Sequence, residues 1–135
     1  MEITEKITVN INSVDLGYID LLVNGGYYSN RTEFIKTAIK NQVRVHEAQT
    51  QRLISQKERQ GFQTFIGIFR LSKKRLESAV SEKRKLNIAC IGMLVISDDV
   101  TPELFGLAVD SIRIYGVSKC PSKIKELLKE KGSLV

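Results

Sequence analysis

The sequence predicts an α+β module of one strand and two helices at the N-terminus, a helical connector, and a small α/β domain of three strand-helix repeats with parallel strands. Three observations carry this reading. Residues 5–12 alternate strictly between apolar and polar side chains. Two helical stripes follow, separated by Gly25-Gly26. From Phe62 onward, a strand-like segment with a central glycine recurs at nearly constant spacing. The predicted boundaries are 1–46 for the module, 47–61 for the connector and 62–135 for the repeats.

The first element places Ile7, Val9 and Ile11 on one face and Lys6, Thr8, Asn10 and Asn12 on the other. Period two is the mark of a half-buried strand. Ser13 offers an N-cap for the first helix, and Asp15 in its first turn favours the helix dipole. Leu16, Ile19, Leu22 and Val23 form the apolar stripe of that helix, and Gly25-Gly26 ends it. Asn30-Arg31-Thr32-Glu33 reads as a capping box, with Asn30 at the N-cap and Glu33 three residues on. Phe34, Ile35, Ala38, Ile39 and Val43 then recur at helical spacing. No Gly or Pro lies between Gly26 and Gly61. The second helix is therefore expected either to run past His46 or to break softly into another. Residues 44–60 are polar, with Leu53 and Ile54 as the main apolar pair, and read as a helical connector.

The repeat is visible in the residues themselves. Ile66-Gly67-Ile68-Phe69-Arg70-Leu71-Ser72 matches Ile91-Gly92-Met93-Leu94-Val95-Ile96-Ser97, and Tyr115-Gly116-Val117-Ser118-Lys119-Cys120-Pro121 is a looser third copy. The glycines lie 25 and 24 positions apart. Helical stretches follow at Lys73–Lys85, Thr101–Val109 and Ser122–Lys131, the second opened by Thr101-Pro102. Strand-helix-strand units of this length favour parallel pairing. Leu71, Ile96 and Cys120 share one repeat position, which predicts a core role for Cys120.

Composition bounds the function. The 135 residues carry a formal net charge of +6, which suits a polyanionic partner. No apolar run approaches the roughly 18 residues of a membrane span, and Met1 to Glu5 lack the features of a signal peptide. A cytoplasmic location and no membrane partner are expected. Cys90 and Cys120 stand far apart and His46 is the one histidine, so neither a metal nor another cofactor is expected. Ser, His and acidic residues fall into no catalytic spacing, and no Gly-rich phosphate loop follows a strand, so an enzyme is not expected.

A lone strand is an unpaired edge, which folded proteins avoid. Pairing with the same strand of a second chain removes the edge and makes an antiparallel ribbon about a two-fold axis. Ile7, Val9 and Ile11 of both chains then face the helices, where Phe34, Ile35 and Ile39 complete the dimer core. Lys6, Thr8 and Asn10 face outward. A two-stranded ribbon fits the major groove, where Lys can donate to guanine, Asn can pair with adenine, and Thr can offer its hydroxyl or methyl.

This order of strand, helix and glycine turn, followed by Tyr28-Ser29-Asn30-Arg31-Thr32-Glu33-Phe34-Ile35, resembles the ribbon-helix-helix superfamily of MetJ, Arc and CopG type. Gly26 to Ile35 is similar to the family turn, G-x-Y/F-S-x-R-S/T-E-F-I, and the resemblance covers about a third of the chain. It implies that Lys6, Thr8 and Asn10 contact bases and that Asn30, Arg31 and Thr32 hold a phosphate at the start of the second helix. A helix N-terminus is suited to that task. A positive charge at Arg31 opposes the helix dipole, which a phosphate partner would explain. Nickel-sensing members use several histidines, so a metal-sensing role is not expected. The repeat tail resembles that of some archaeal regulators of the family.

Other charged features have plainer readings. Lys36 and Lys40 read as solvent contacts. Arg70, Lys73, Lys74, Arg75, Lys83, Arg84 and Lys85 read as a solvated face interrupted by Glu77 and Glu82, with a second DNA surface as the alternative, and Asp98-Asp99 read as turn and cap residues, with a cation as the alternative though no further carboxylates cluster beside them. The expected function is a homodimeric, site-specific regulator of transcription on double-stranded DNA, nucleoid-associated and of repressor type. Its 62–135 tail is expected to join dimers into a tetramer or to bind an effector or partner protein. The alternatives are an antitoxin, whose tail binds a partner protein, and a self-assembling structural protein.

Overall fold

The computed structural model describes residues 4–131. The chain divides into two compact units, Met1–Gln49 and Thr50–Val135.

In the first unit, residues 4–12 form neither helix nor strand and are exposed throughout. The strand expected over 5–12 is thus absent from the single chain. A strand exists through its ladder, and no neighbouring segment supplies one. Ile7, Val9 and Ile11 are 77%, 69% and 47% exposed. Helix α1 (Ser13–Asn24) follows. Its cap is Asn12, not Ser13. The Asn12 Oδ1 accepts from the Val14 amide at 2.7 Å and the Asp15 amide at 3.4 Å. Gly25 closes the helix, and Gly26 takes the left-handed conformation at φ +86° that turns the chain. Helix α2 (Arg31–Val45) comes next, and helix α3 (Glu47–Arg59) begins in this unit and runs on past Thr50. Of the two expectations for this stretch, the soft break is the one observed, and it falls at His46. Ile19 is the one buried hydrophobic side chain among the described residues of this unit.

The second unit is built on three strands, β1 (Gln63–Leu71), β2 (Leu86–Ile96) and β3 (Val109–Lys119). They pair in parallel in the order β1-β2-β3. Helices α4 (Lys73–Ser81), α5 (Pro102–Ala108) and α6 (Ser122–Glu130) follow the strands in turn. The strands begin earlier than the repeat suggested, and α4 stops at Ser81. A turn through Glu82 and Lys83 then follows, with Lys83 at φ 57°. The helix starts are capped as their sequences require: Ser72 Oγ accepts from the Arg75 amide and Thr101 Oγ1 from the Leu104 amide, each at 3.2 Å.

The core lies on one face of the sheet. Leu76 and Ala79 of α4, Phe105 and Ala108 of α5, and Ile124 and Leu128 of α6 pack on alternate strand residues such as Leu71, Ile88, Cys90, Leu94, Ile112 and Ile114. Leu71 pairs with Ile96, and both are buried. Cys120 is partly buried against the same core.

The repeated glycines align. Gly67 pairs with Gly92, and Gly92 with Gly116. All three hold positive φ, at 109°, 132° and 126°. A Cβ on Gly92 would collide with the carbonyl oxygen of Gly67, and one on Gly116 with that of Gly92. Glycine is therefore required at the two inner positions on both conformational and steric grounds. On β1, Phe65 and Phe69 stack at 3.7 Å between ring centroids, across the place where Gly67 has no side chain.

Candidate nucleic-acid interface

The segment 4–12 and the start of α2 carry the residues expected to meet DNA. Lys6, Thr8 and Asn10 are exposed on the extended segment, directly before the cap of α1. The Asn12 cap fixes where that segment ends.

The start of α2 is more elaborately held. Asn30 is the N-cap, with its Oδ1 accepting from the Glu33 amide at 2.8 Å. The Glu33 carboxylate does not return to the Asn30 amide, as a capping box would have it. It accepts one residue earlier, from the Ser29 amide at 2.7 Å and from the Ser29 hydroxyl. These bonds, the hydroxyl's first, hold the Glu33 carboxyl below its ordinary pKa. Tyr28 meets Phe34 edge-on at 5.0 Å, fixing the turn against the first helical turn. The amides of Arg31 and Thr32 head the helix, where the backbone has no intrahelical acceptor.

Arg31 has a partner that the sequence did not disclose. Its Nε and Nη2 donate to the two carboxylate oxygens of Asp20 in α1, each at 2.8 Å. The hydrogen bonds from Arg31 hold the Asp20 carboxyl below its ordinary value, and the same contact raises Arg31 further. The cation at the first position of α2 is thus explained by a fork-to-fork tie between the two helices, and a phosphate is not needed to account for it. The Nη1 group lies outside this pair.

Asn30, Thr32, Glu33, Lys36, Thr37 and Lys40 line one shallow groove of about 390 Å³. Lys36 and Lys40, which read as solvent contacts in the sequence, extend the helix start into a basic track. Helical spacing of four could have signalled this, since it places both lysines on one face with Asn30 and Thr32.

A model of the ribbon-helix-helix transcriptional regulator family matches residues 2–125. The chain belongs to that family. No curated protein and no solved structure matches the chain. Membership extends across β1, β2 and β3 and into α6, so the strand-helix unit is part of the family pattern and not an appendage to the first 46 residues. The family is one of DNA-binding transcriptional regulators.

Two cations of the basic cluster have local partners. Arg75 of the basic cluster lies over the Phe69 ring at 5.0 Å, and Arg84 pairs with Glu82. Burial pushes the thiol of Cys90 up, and likewise that of Cys120, where Lys125 partly offsets it. Both thiols are thereby kept from the thiolate form that reacts or binds metal. Among the described residues no three His, Cys, Asp or Glu side chains come together as a metal site would need, and no helix is long and apolar enough to cross a membrane.

Proposed function

We propose that this ribbon-helix-helix protein is a homodimeric, site-specific regulator of transcription that places a two-stranded ribbon in the DNA major groove. The observation that carries this is the exposure of Ile7, Val9 and Ile11 in the single chain. Three alternate apolar side chains on an extended segment have no burial except against a second copy of the same segment. Pairing about a two-fold axis forms the ladder and turns these residues inward onto Phe34, Ile35 and Ile39, of which Ile35 and Ile39 are also exposed in one chain.

The same pairing sets Lys6, Thr8 and Asn10 of both chains on the outer face of the ribbon as base-reading residues. The amides of Arg31 and Thr32, with Asn30 as cap, receive a phosphate, and Lys36 and Lys40 continue the contact along the backbone. These contacts fix register and orientation without reading sequence. The self-contained core of the second unit tells against the antitoxin reading, whose partner-binding tail would be disordered alone.

The experiment is a titration of a duplex selected from random DNA against an unrelated duplex, at several salt concentrations. Asn10→Ala should reduce the preference for the selected duplex by about 1–3 kcal/mol and leave binding to the unrelated one nearly unchanged. Equal loss on both duplexes would remove Asn10 from the base-reading set. Lys36→Ala should weaken both equally and lower the slope of affinity with salt by about one.

A further inference from the structure

The basic excess of the chain is concentrated in one place. Residues 70–85 hold seven cations against two carboxylates, which is +5 of the net +6, and the rest of the chain is close to balance with 14 against 13. This stretch lies in the second unit, away from the residues that read bases or hold a phosphate in the function proposed above. We propose that the outer surface of α4 is a second DNA surface, which grips the phosphate backbone of a duplex through Lys73 and Lys74 at one end and Lys83 and Lys85 at the other. Duplex DNA is the occupant because the chain belongs to a family of DNA-binding regulators, and the surface works without the ribbon.

Both ends of α4 are built against local stability. Helices α1, α2, α3 and α5 each place a carboxylate in the first turn, where it suits the helix dipole. Helix α4 has none and begins Lys73-Lys74-Arg75. At its other end the Lys83 amide donates to the Val80 carbonyl and the Arg84 amide to that of Ala79, the pair of bonds that closes a helix on a left-handed residue. Helices α1 and α3 close on the same pair of bonds with Gly26 and Gly61 at that position. In α4 the position is Lys83 at φ 57°, the one non-glycine residue at positive φ among the described residues. A lysine held where glycine is the less strained residue points to a use for its charge.

Between the two ends, Lys74, Ser78 and Ser81 share the face turned away from Leu76 and Ala79, and all three are exposed. An ammonium and two hydroxyls are donors suited to phosphate oxygens. The nine residues of α4 span about 13 Å, on the order of the roughly 12 Å width of the major groove, so the two lysine pairs reach phosphates on its two sides. Of the nearby carboxylates, Glu82 is held by Arg84. Glu77 lies one row to the side, and Asp98 and Asp99 follow Ser97, whose amide donates to the Leu71 carbonyl at the same end of the sheet. None of these three forms an ion pair with the four lysines among the described residues. No exposed residue of α4 is apolar, which tells against an anionic membrane as the occupant.

The test uses the full chain and a duplex of unrelated sequence, with affinity measured at several salt concentrations. Lys73→Gln, Lys74→Gln, Lys83→Gln and Lys85→Gln together should lower the slope of log affinity with log salt by about three to four, since each phosphate neutralised contributes about 0.9. A matched set on the third repeat is Lys119→Gln, Lys123→Gln, Lys125→Gln and Lys129→Gln, where Glu126 and Glu130 interleave with the lysines. It should change the slope by less than about one. Lys83→Gly separates binding from structure: it should raise the urea midpoint of the second unit by relieving the left-handed lysine, and lower the slope by about one. An unchanged slope in the four-lysine variant overturns the proposal, and so does an equal fall in the matched set, which would report net charge alone. Binding to phosphatidylglycerol vesicles that the four changes abolish, with the DNA slope unchanged, assigns the surface to a membrane instead. Preference for a selected duplex over an unrelated one, which reports the ribbon, should be the same with and without the four lysines. An unaltered chain that binds no duplex overturns this proposal together with the function proposed above.

Discussion

Between Met1 and Gln49 a single described side chain, Ile19, is buried, whereas beyond Thr50 a continuous core joins three strands to three helices. The chain lengths do not explain this difference by themselves. The first unit has its apolar residues, but α1, α2 and the segment before them leave most of them facing outward. A unit of about 50 residues that buries so little surface needs something added to be stable, and under the proposed function the addition is a second chain. The second unit closes its core within one chain because each strand is followed by a helix that returns over the same face. On the proposed dimer, one unit is completed by association and the other by repetition.

Substitutions separate the two modes. Val9→Lys should have the largest effect. The dimer should disappear by light scattering and the helical signal of the first unit should fall, while the second unit keeps its own unfolding transition. Retention of a folded dimer would show that the ribbon is not what completes the first unit. Phe105→Ala should destabilise the second unit by about 3–5 kcal/mol in urea unfolding, since Phe105 is fully buried under α5. It should leave the dimer mass intact below the transition. Asn30→Ala should cost about 1 kcal/mol through loss of the cap on α2, seen as a lower midpoint for the first transition only.

The smallest effect is that of acid. Asp20 and Glu33 both have depressed pKa values in the folded chain, so their contribution is present above the ordinary carboxylate range. It is lost as pH falls through their folded values. Both groups are fully exposed, so the change should be modest. Circular dichroism between neutral pH and pH about 3 should show the first unit loosening, and Asp20→Asn should flatten that response. An identical acid profile in the variant would remove the Asp20–Arg31 tie from the forces holding α1 to α2.

Much of this was legible in the sequence where the controlling interactions are local or periodic. The glycine spacing gave the register of all three strands, and Asn30 was identifiable as a cap because its partner lies three residues away. Asn12 was missed as a cap because its alternation with Ile11 assigned it to the strand. Asp20–Arg31 was missed because it joins residues 11 apart on different helices, a contact set by how the helices pack. The alternation over 5–12 reads as a strand, but none forms in the single chain, because no segment of the same chain offers it a ladder. Which face of the sheet the helices would cover was also hidden. Ile66 and Ile91 look as core-like in sequence as Leu71 and Ile96.

The row of glycines sets a rule of inheritance for the second unit. Each carbonyl in the row occupies the space that a side chain on the next strand would need, so the requirement passes from strand to strand. The sheet can be lengthened by duplicating a unit of 24 or 25 residues, provided the copy keeps glycine at the shared position. A copy that drifted there to alanine would no longer stack. Growth of such a domain is therefore open in number but closed in grammar, with one letter per unit exempt from variation.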